Sequence, residues 1–379
     1  MPAATPADLN PELGTPVSAI ETPALVVDLD VMERNVEAYA AFARRNDCRL
    51  RSHVKTHKTP DIARYQDERT GGGIACQTLG EAEVMAYNGL TDIYLSYMVV
   101  GRQKLRRAAH LATKLDRFAV TVDHPTHVES LQEATAERDA TVGVVVEIDT
   151  GLGRTGIDPE EGDVVGLAES VAARSNLRFD GLLAYEAQVK SQAETEADYR
   201  RLCHEAMDEA GRVVERIEAA DIDVPEVRAG GTATSWYSGT HPAVTEINPG
   251  MYPFNDVGEI RARPWAVSTE DCAATVLTDV ISVPGADQVV VDAGSKSLSM
   301  DGPHAPVPRD RDDIAYANAS EEHGWVDTSA SGESFAVGDR LEFVVPHVCT
   351  TVNLHDVLVG VRDGHVEDVW AVQARGKVK

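Results

Sequence analysis

Between residues 22 and 261 the chain alternates short apolar runs with longer amphipathic stretches. Residues 22–29 read as a strand and 31–46 as the helix after it, with Asp30 as N-cap and Glu33 at the capping-box spacing. Residues 48–54 (CRLRSHV) alternate apolar and polar positions and predict a second strand, with a turn and a helix from residue 60 next. The same rhythm continues. Strands are expected at 73–77, 92–97, 118–122, 141–149 and 178–185. Helices are expected at 79–87, 103–114, up to about 138, 159–174 and 190–219. Residues 225–229 and 246–254 supply the last strands. Near-continuous apolar strands alternating with helices argue a parallel sheet covered on both faces. About eight such units fit a (β/α)8 barrel, and a doubly wound open sheet is the rival.

The pattern changes near residue 262. Beyond Cys272 the runs 273–283, 287–292, 340–345, 357–361 and 367–372 read as strands, punctuated by Gly285, Gly294, Gly324, Gly338 and Gly364, with no helix among them. The expected organisation is an α/β chain with two parts: a barrel over 22–261 and a C-terminal β-domain over 262–379. The arm 1–21, rich in Pro, Ala and Thr, is expected to be loose and is a candidate to pack on the β-domain.

Charge narrows the partners. With 35 basic and 62 acidic residues the net charge is −27, which disfavours nucleic acid and anionic membranes. Of the basic residues 8 are Lys and 27 are Arg. An acidic, lysine-poor surface suits a cytoplasmic protein of a salt-loving organism, where salt screens self-repulsion; an ordinary acidic cytosolic enzyme is the rival. Five widely spaced cysteines do not make a disulfide framework. No run is long and apolar enough for a membrane span, and no secretory leader is evident.

Five stretches can carry chemistry. Lys55 stands at the end of the 48–54 strand, beside His53, His57 and Lys58. Barrels place their chemistry at the C-terminal ends of strands. Neighbouring positive charge and burial favour the neutral amine of a lysine, the form that attacks a carbonyl carbon; a basic strand end at the surface is the plain alternative. Gly230-Gly231-Thr232-Ala233-Thr234-Ser235 and Asn248-Pro249-Gly250-Met251-Tyr252 follow the last two expected barrel strands, where backbone N–H groups and hydroxyls suit a phosphate. In the 147–156 stretch (EIDTGLGRTG) glycines free the backbone and Arg154 can reach an anionic or aromatic ligand. His347 and Cys349 stand two apart, on one face if the segment is a strand. Imidazole with thiolate suits zinc, and two protein ligands leave positions for water and substrate.

The motifs HVKTHK (53–58), Gly153-Arg154, Gly230-Gly231-Thr232, PGMYPFND (249–256), DAGSK (292–296), EEHG (321–324) and His347-Val348-Cys349 occur in one order. Together they make the chain similar to the D-threonine aldolase and D-serine dehydratase family of pyridoxal-phosphate enzymes, over nearly its whole length from Thr22 to about Val372. The resemblance implies an alanine-racemase-like barrel with the cofactor at its mouth. Lys55 matches the lysine that holds pyridoxal phosphate as a Schiff base. The 230–232 loop and the Gly250-Met251-Tyr252 turn match the phosphate cradle. Gln77, Arg154 and Tyr185 match positions around the cofactor ring, with Tyr185 near the pyridine nitrogen. His347 and Cys349 match the divalent-metal ligands, with zinc favoured and manganese or magnesium as alternatives. His57 is the candidate base.

The implied substrate is a D-β-hydroxy-α-amino acid, cleaved to glycine and an aldehyde or dehydrated to a 2-oxo acid. Cys349 leans towards the dehydratases, whereas the 351–356 run (TVNLHD) resembles the aldolases. A cytoplasmic homodimer is the expectation. A non-catalytic pyridoxal-phosphate-binding protein of the same barrel would lack the 262–379 segment, and a racemase would present a tyrosine base that does not stand out here. Cys48, Cys76, Cys203 and Cys272 match no functional position, and His323 and His355 are equally placed as structural residues or as supports for the site.

Overall fold

The computed structural model describes residues 10–379; the expected arm is described from residue 10 on, and residues 1–9 lie outside the described part. The chain forms two compact units. One comprises the chain as far as Glu37, Thr56–Thr59 and Met251–Arg375; the other comprises Ala38–Lys55, Pro60–Gly250 and Gly376–Lys379.

The second of these is a barrel. Its strand segments are Arg49–Leu50, Ser52–His53, Ile74–Cys76, Asp92–Leu95, Arg117–Val122, Val142–Ile148, Leu177–Ala184, Val227–Ala229 and Glu246–Ile247. From Ser52–His53 onward each pairs in parallel with the next, and Glu246–Ile247 pairs back on Arg49–Leu50, which closes the ring. The first two segments are one strand that changes partner at Arg51: Arg51 N–H still donates to Ile247 O at 3.0 Å, and Ser52 then pairs with Ile74. Nine segments thus make eight strands, as the rhythm of the sequence predicts, and the open sheet is excluded. Helices separate the strands. Leu79–Tyr87 and Glu196–Glu218 open on capping boxes, Thr78 with Glu81 and Thr195 with Asp198.

Buried Ala75, Tyr94, Ala119, Val145 and Leu183, one from each of five successive strands, pack together, with Tyr185 against them. Gly181 marks a bulge in its strand: at φ +110° a Cβ there would lie 1.9 Å from Glu226 O.

At the N-terminal ends of the strands a set of ion pairs is wholly or partly buried. Arg51 and Arg228 both hold Glu246, at 3.0 and 2.9 Å, and all three side chains are fully enclosed. Arg51 also reaches Asp92 at 2.7 Å, and Arg117 and Arg228 bind Glu226. Burial alone would raise the Glu246 carboxyl, but the two guanidinium groups bring it down to about 2.

The other unit is a nine-stranded sheet. Its longest strand, Ala274–Gly285, runs antiparallel to Ala24–Asp28, Gln288–Val291 and Arg340–Val344. Ala24–Asp28 is also parallel to Val357–Arg362, which forms a hairpin with His365–Ala371. Hydropathy predicts the Ala24–Asp28 strand, but the expected barrel over 22–261 included it, whereas it pairs with strands of this sheet. The helix after it starts earlier than expected, at Leu29: Asp30 lies in the first turn, and Asp28 accepts Val31 N–H at 3.1 Å. Residues 10–21 are not loose. Gly14 N–H donates to Val366 O at 2.8 Å, Arg340 donates to Val17 O and Ile20 O at 2.6 Å, and Ile20 is buried with Val26, Leu277 and Val359. The region expected to lack helices contains one, Val348–Val352. All five cysteines are free thiols. No helix among the described residues is long and apolar enough to cross a membrane.

Candidate active site

Lys55, Gln77, Arg154, Tyr185, Gly230, Gly231, Thr232 and Gly250 all belong to the barrel unit and follow the C-terminal ends of its strands. Lys55 lies just past Ser52–His53 and is half-buried. Its backbone N–H donates to His53 Nδ1 at 3.4 Å. Its Nζ donates to Gln77 Oε1 at 3.3 Å, and no carboxylate of the described residues pairs with it. Gln77 follows the next strand, and its Nε2 donates to Ser96 O at 2.9 Å. That bond fixes the amide so that its oxygen faces the lysine.

Across the rim, the Arg154 guanidinium stands 5.1 Å from the centre of the Tyr185 ring. Tyr185 also borders the glycine loop: a Cβ at Gly231 would lie 3.3 Å from its Oη. Gly230 has φ +78°, where a Cβ would meet Ser235 at 2.6 Å, so only glycine fits. The two glycine amides that the sequence offers to an anion are already engaged. Gly230 N–H donates to Glu186 Oε2 and Gly231 N–H to Thr234 Oγ1, both at 3.0 Å. Tyr39 Oη donates to Thr232 O at 2.6 Å. The loop therefore arrives as a held turn rather than as an open nest of donors.

His57, Met251, Tyr252, His347 and Cys349 belong to the other unit. Tyr252 is completely buried and Met251 half-buried, at a turn in which Met251 O accepts Asn255 N–H at 2.7 Å. His57 is also completely buried. Its Nδ1 accepts Thr59 N–H at 3.1 Å, so any proton it exchanges passes through Nε2.

The His347–Cys349 segment is not the strand expected from its alternation. His347 is the N-cap of the helix Val348–Val352. The helix is anchored by Asp256, which is buried and accepts Val348 N–H at 2.9 Å and Glu259 N–H at 2.8 Å. Burial and the nearby Glu259 raise the Asp256 carboxyl to about 6. His347 and Cys349 nevertheless meet: a hydrogen bond between their side chains, with the Asp301 carboxylate adding to it, raises the imidazole to about 9. Cys349 Sγ also lies 3.2 Å from Oγ1 of Thr56, the residue after Lys55 in the chain.

Asp301 was not legible in the sequence. Its Oδ2 is 2.9 Å from His347 Nδ1, while Oδ1 accepts from Ser299 at 2.6 Å and Thr350 at 2.9 Å. Burial would raise it, but these bonds hold it below its usual range. His347 Nδ1 is thus held by a carboxylate. No group of three or more His, Cys, Asp or Glu side chains among the described residues is gathered for a metal. Of the two unassigned histidines, His355 is held by Ser297 O at 2.8 Å.

The chain has close relatives. Residues 27–256 match the family described as "Alanine racemase, N-terminal domain", and residues 273–361 match the "Putative serine dehydratase domain". D-threonine aldolase of Arthrobacter sp. is 34% identical over 366 residues, covering 96% of this chain and 95% of that protein. 3-Hydroxy-D-aspartate aldolase of Paracoccus denitrificans is also 34% identical, over 96% of this chain and 94% of its own length. The crystal structure of D-threonine aldolase from Filomicrobium marinum superimposes with a TM-score of 0.92 at 35% identity, covering 97% of this chain and 99% of that one. This chain therefore belongs to the D-threonine aldolase and D-serine dehydratase family, whose barrel is of the alanine racemase type.

Proposed function

We propose that the protein is a lyase dependent on pyridoxal phosphate and a divalent metal, and that it cleaves D-β-hydroxy-α-amino acids to glycine and an aldehyde. The observation that carries this reading is the Lys55 amine at the barrel rim, held by Gln77 and free of any carboxylate partner among the described residues. The residues fit the cofactor. The rim offers a primary amine, a guanidinium over an aromatic ring, and a glycine loop whose missing Cβ at Gly231 leaves space beside Tyr185. They also fit a metal: imidazole and thiolate are zinc donors, and the Asp301–His347 bond is the usual support for a metal-bound histidine.

When bound, the cofactor supplies an electron sink for the substrate's α-carbon, and the metal supplies a Lewis acid for its β-hydroxyl. The chain supplies the rest. Lys55 Nζ would hold the cofactor covalently and Gln77 would orient that nitrogen. Residues 230–232 and the turn at Gly250, Met251 and Tyr252 would seat its phosphate, and Arg154 and Tyr185 would flank its ring. His347 and Cys349 would hold the metal. His57 Nε2 would take the hydroxyl proton as the Cα–Cβ bond breaks, and Lys55 Nζ would return a proton to the α-carbon.

Dehydration is the second reading, supported by Cys349 and by the serine dehydratase match over 273–361. In it Lys55 Nζ takes the α-proton and the hydroxyl leaves as hydroxide. Incubation with D-threonine and D-serine, with and without a chelator, separates the readings. Glycine and acetaldehyde from D-threonine support the aldolase; a 2-oxo acid and ammonia support the dehydratase. No turnover of either, with cofactor and metal supplied, counts against both.

A further inference from the structure

Glu186 is a buried acid that the proposed reaction does not use. It follows Tyr185 just past the end of the strand Leu177–Ala184, and its side chain has no exposure. Burial raises its carboxyl; the groups that oppose this are hydrogen-bond donors, with no cation of the described residues among them. A carboxyl without a counter-ion is costly to bury, so its contacts are informative. The Thr234 hydroxyl bonds the carboxyl as well, and at the extremes Oε2 accepts Gly230 N–H at 3.0 Å and Oε1 accepts the Ser238 hydroxyl. These are the two ends of one segment: Gly230 opens the glycine loop and Ser238 closes the short helix Ser235–Ser238. Between them the segment folds on itself, with Thr234 and Ser235 N–H groups donating to Gly231 O at 3.2 and 2.9 Å. Its shape therefore depends on how its ends are held. A glutamine here would keep one acceptor, and an apolar residue none.

We infer that Glu186 is the positioning residue of the Gly230–Ser238 segment, clamping both ends so that the loop between them takes the phosphate monoester of the cofactor. This rests on the pyridoxal-phosphate reading above.

The test compares binding of pyridoxal phosphate with that of pyridoxal, which lacks the phosphate, by absorbance titration of cofactor-free wild type, Glu186→Ala, Glu186→Gln and Ser238→Ala. Wild type should prefer the phosphorylated form. In Glu186→Ala that preference should fall at least about tenfold, the equivalent of one lost charge-assisted hydrogen bond, while pyridoxal binds as before. Glu186→Gln and Ser238→Ala should fall in between, and they carry the test if Glu186→Ala does not fold. A preference unchanged in the variants that fold, or lost equally for both ligands, overturns the clamp. A wild-type protein with no preference overturns the cofactor reading instead.

Discussion

At the scale of single residues, Lys55 carries the sharpest prediction. Borohydride reduction of the cofactor-loaded protein should fix the label on one peptide, the one containing Lys55, and Lys55→Ala should abolish both the label and the visible absorbance. A label on Lys58 or Lys296 would refute the assignment. Lys296 is exposed and paired with Glu322 at 2.6 Å, which holds it as an ammonium. His347→Ala and Cys349→Ala should keep bound pyridoxal phosphate but lose metal and turnover, and Asp301→Asn should weaken metal binding by roughly 10–100-fold, as seen when the carboxylate behind a ligating histidine is lost. Metal content by atomic absorption, read beside cofactor absorbance, checks all three; full metal content in His347→Ala would remove that residue from the site. The side chains proposed to touch cofactor or metal were legible because each lies in a short motif. Those that act through them were not. Asp301 meets His347 across 46 residues of chain, and Glu186 meets Gly230 across 44. Spacing along the sequence carries no signal for such pairs.

At the scale of elements, periodicity gave the barrel because eight apolar strands and the helices between them repeat one pattern. It missed the helix Val348–Val352, because five residues are too few to show a 3.6-residue period and two valines and two threonines favour a strand. What makes it a helix is a tertiary contact, Asp256 binding its first N–H, joined by a local one in which Thr351 Oγ1 donates to His347 O at 2.9 Å. The ion pairs at the N-terminal ends of the barrel strands were equally hidden, since Arg51, Arg228 and Glu246 come together only when the ring closes. Breaking a buried pair by removing one partner costs about 3–5 kcal/mol. Glu246→Gln should therefore lower the urea midpoint markedly at neutral pH, leaving Arg51 and Arg228 without their shared carboxylate. The pH dependence has a definite sign. The folded Glu246 carboxyl lies near 2, below its usual 4.5, so its contribution is full above 4.5 and is lost as pH falls towards 2. The shift corresponds to about 3 kcal/mol. The variant should lose less stability than wild type over that window, and identical acid profiles would show that the pair does not govern it.

At the scale of the whole molecule the decisive quantity is charge. However the basic residues pair, the excess of acids over bases leaves 27 negative charges uncompensated. Arginines on the surface already serve several acids each: Arg362 binds Asp30, Glu33 and Glu367, and Arg311 binds Asp313 and Glu333. Salt weakens these attractions as well as the repulsions, so the sign of its effect depends on which is larger. Exposed ion pairs contribute little, about 0–1 kcal/mol each. Two like charges 10 Å apart in water repel by about 0.4 kcal/mol, and an excess of this size places many carboxylates at such separations. The repulsion should therefore win. Raising salt from 0.1 M to 1 M shortens the Debye length from about 10 Å to about 3 Å and removes most of it. The expected result is a melting temperature, and an activity, that rise from dilute to molar potassium chloride. Cofactor and metal should be held at saturation, so that chloride competing for the metal does not enter the measurement. A melting temperature highest in dilute buffer would mean that the paired arginines and the core outweigh the excess charge, and would rule out salt-dependent stability as the reason for this composition.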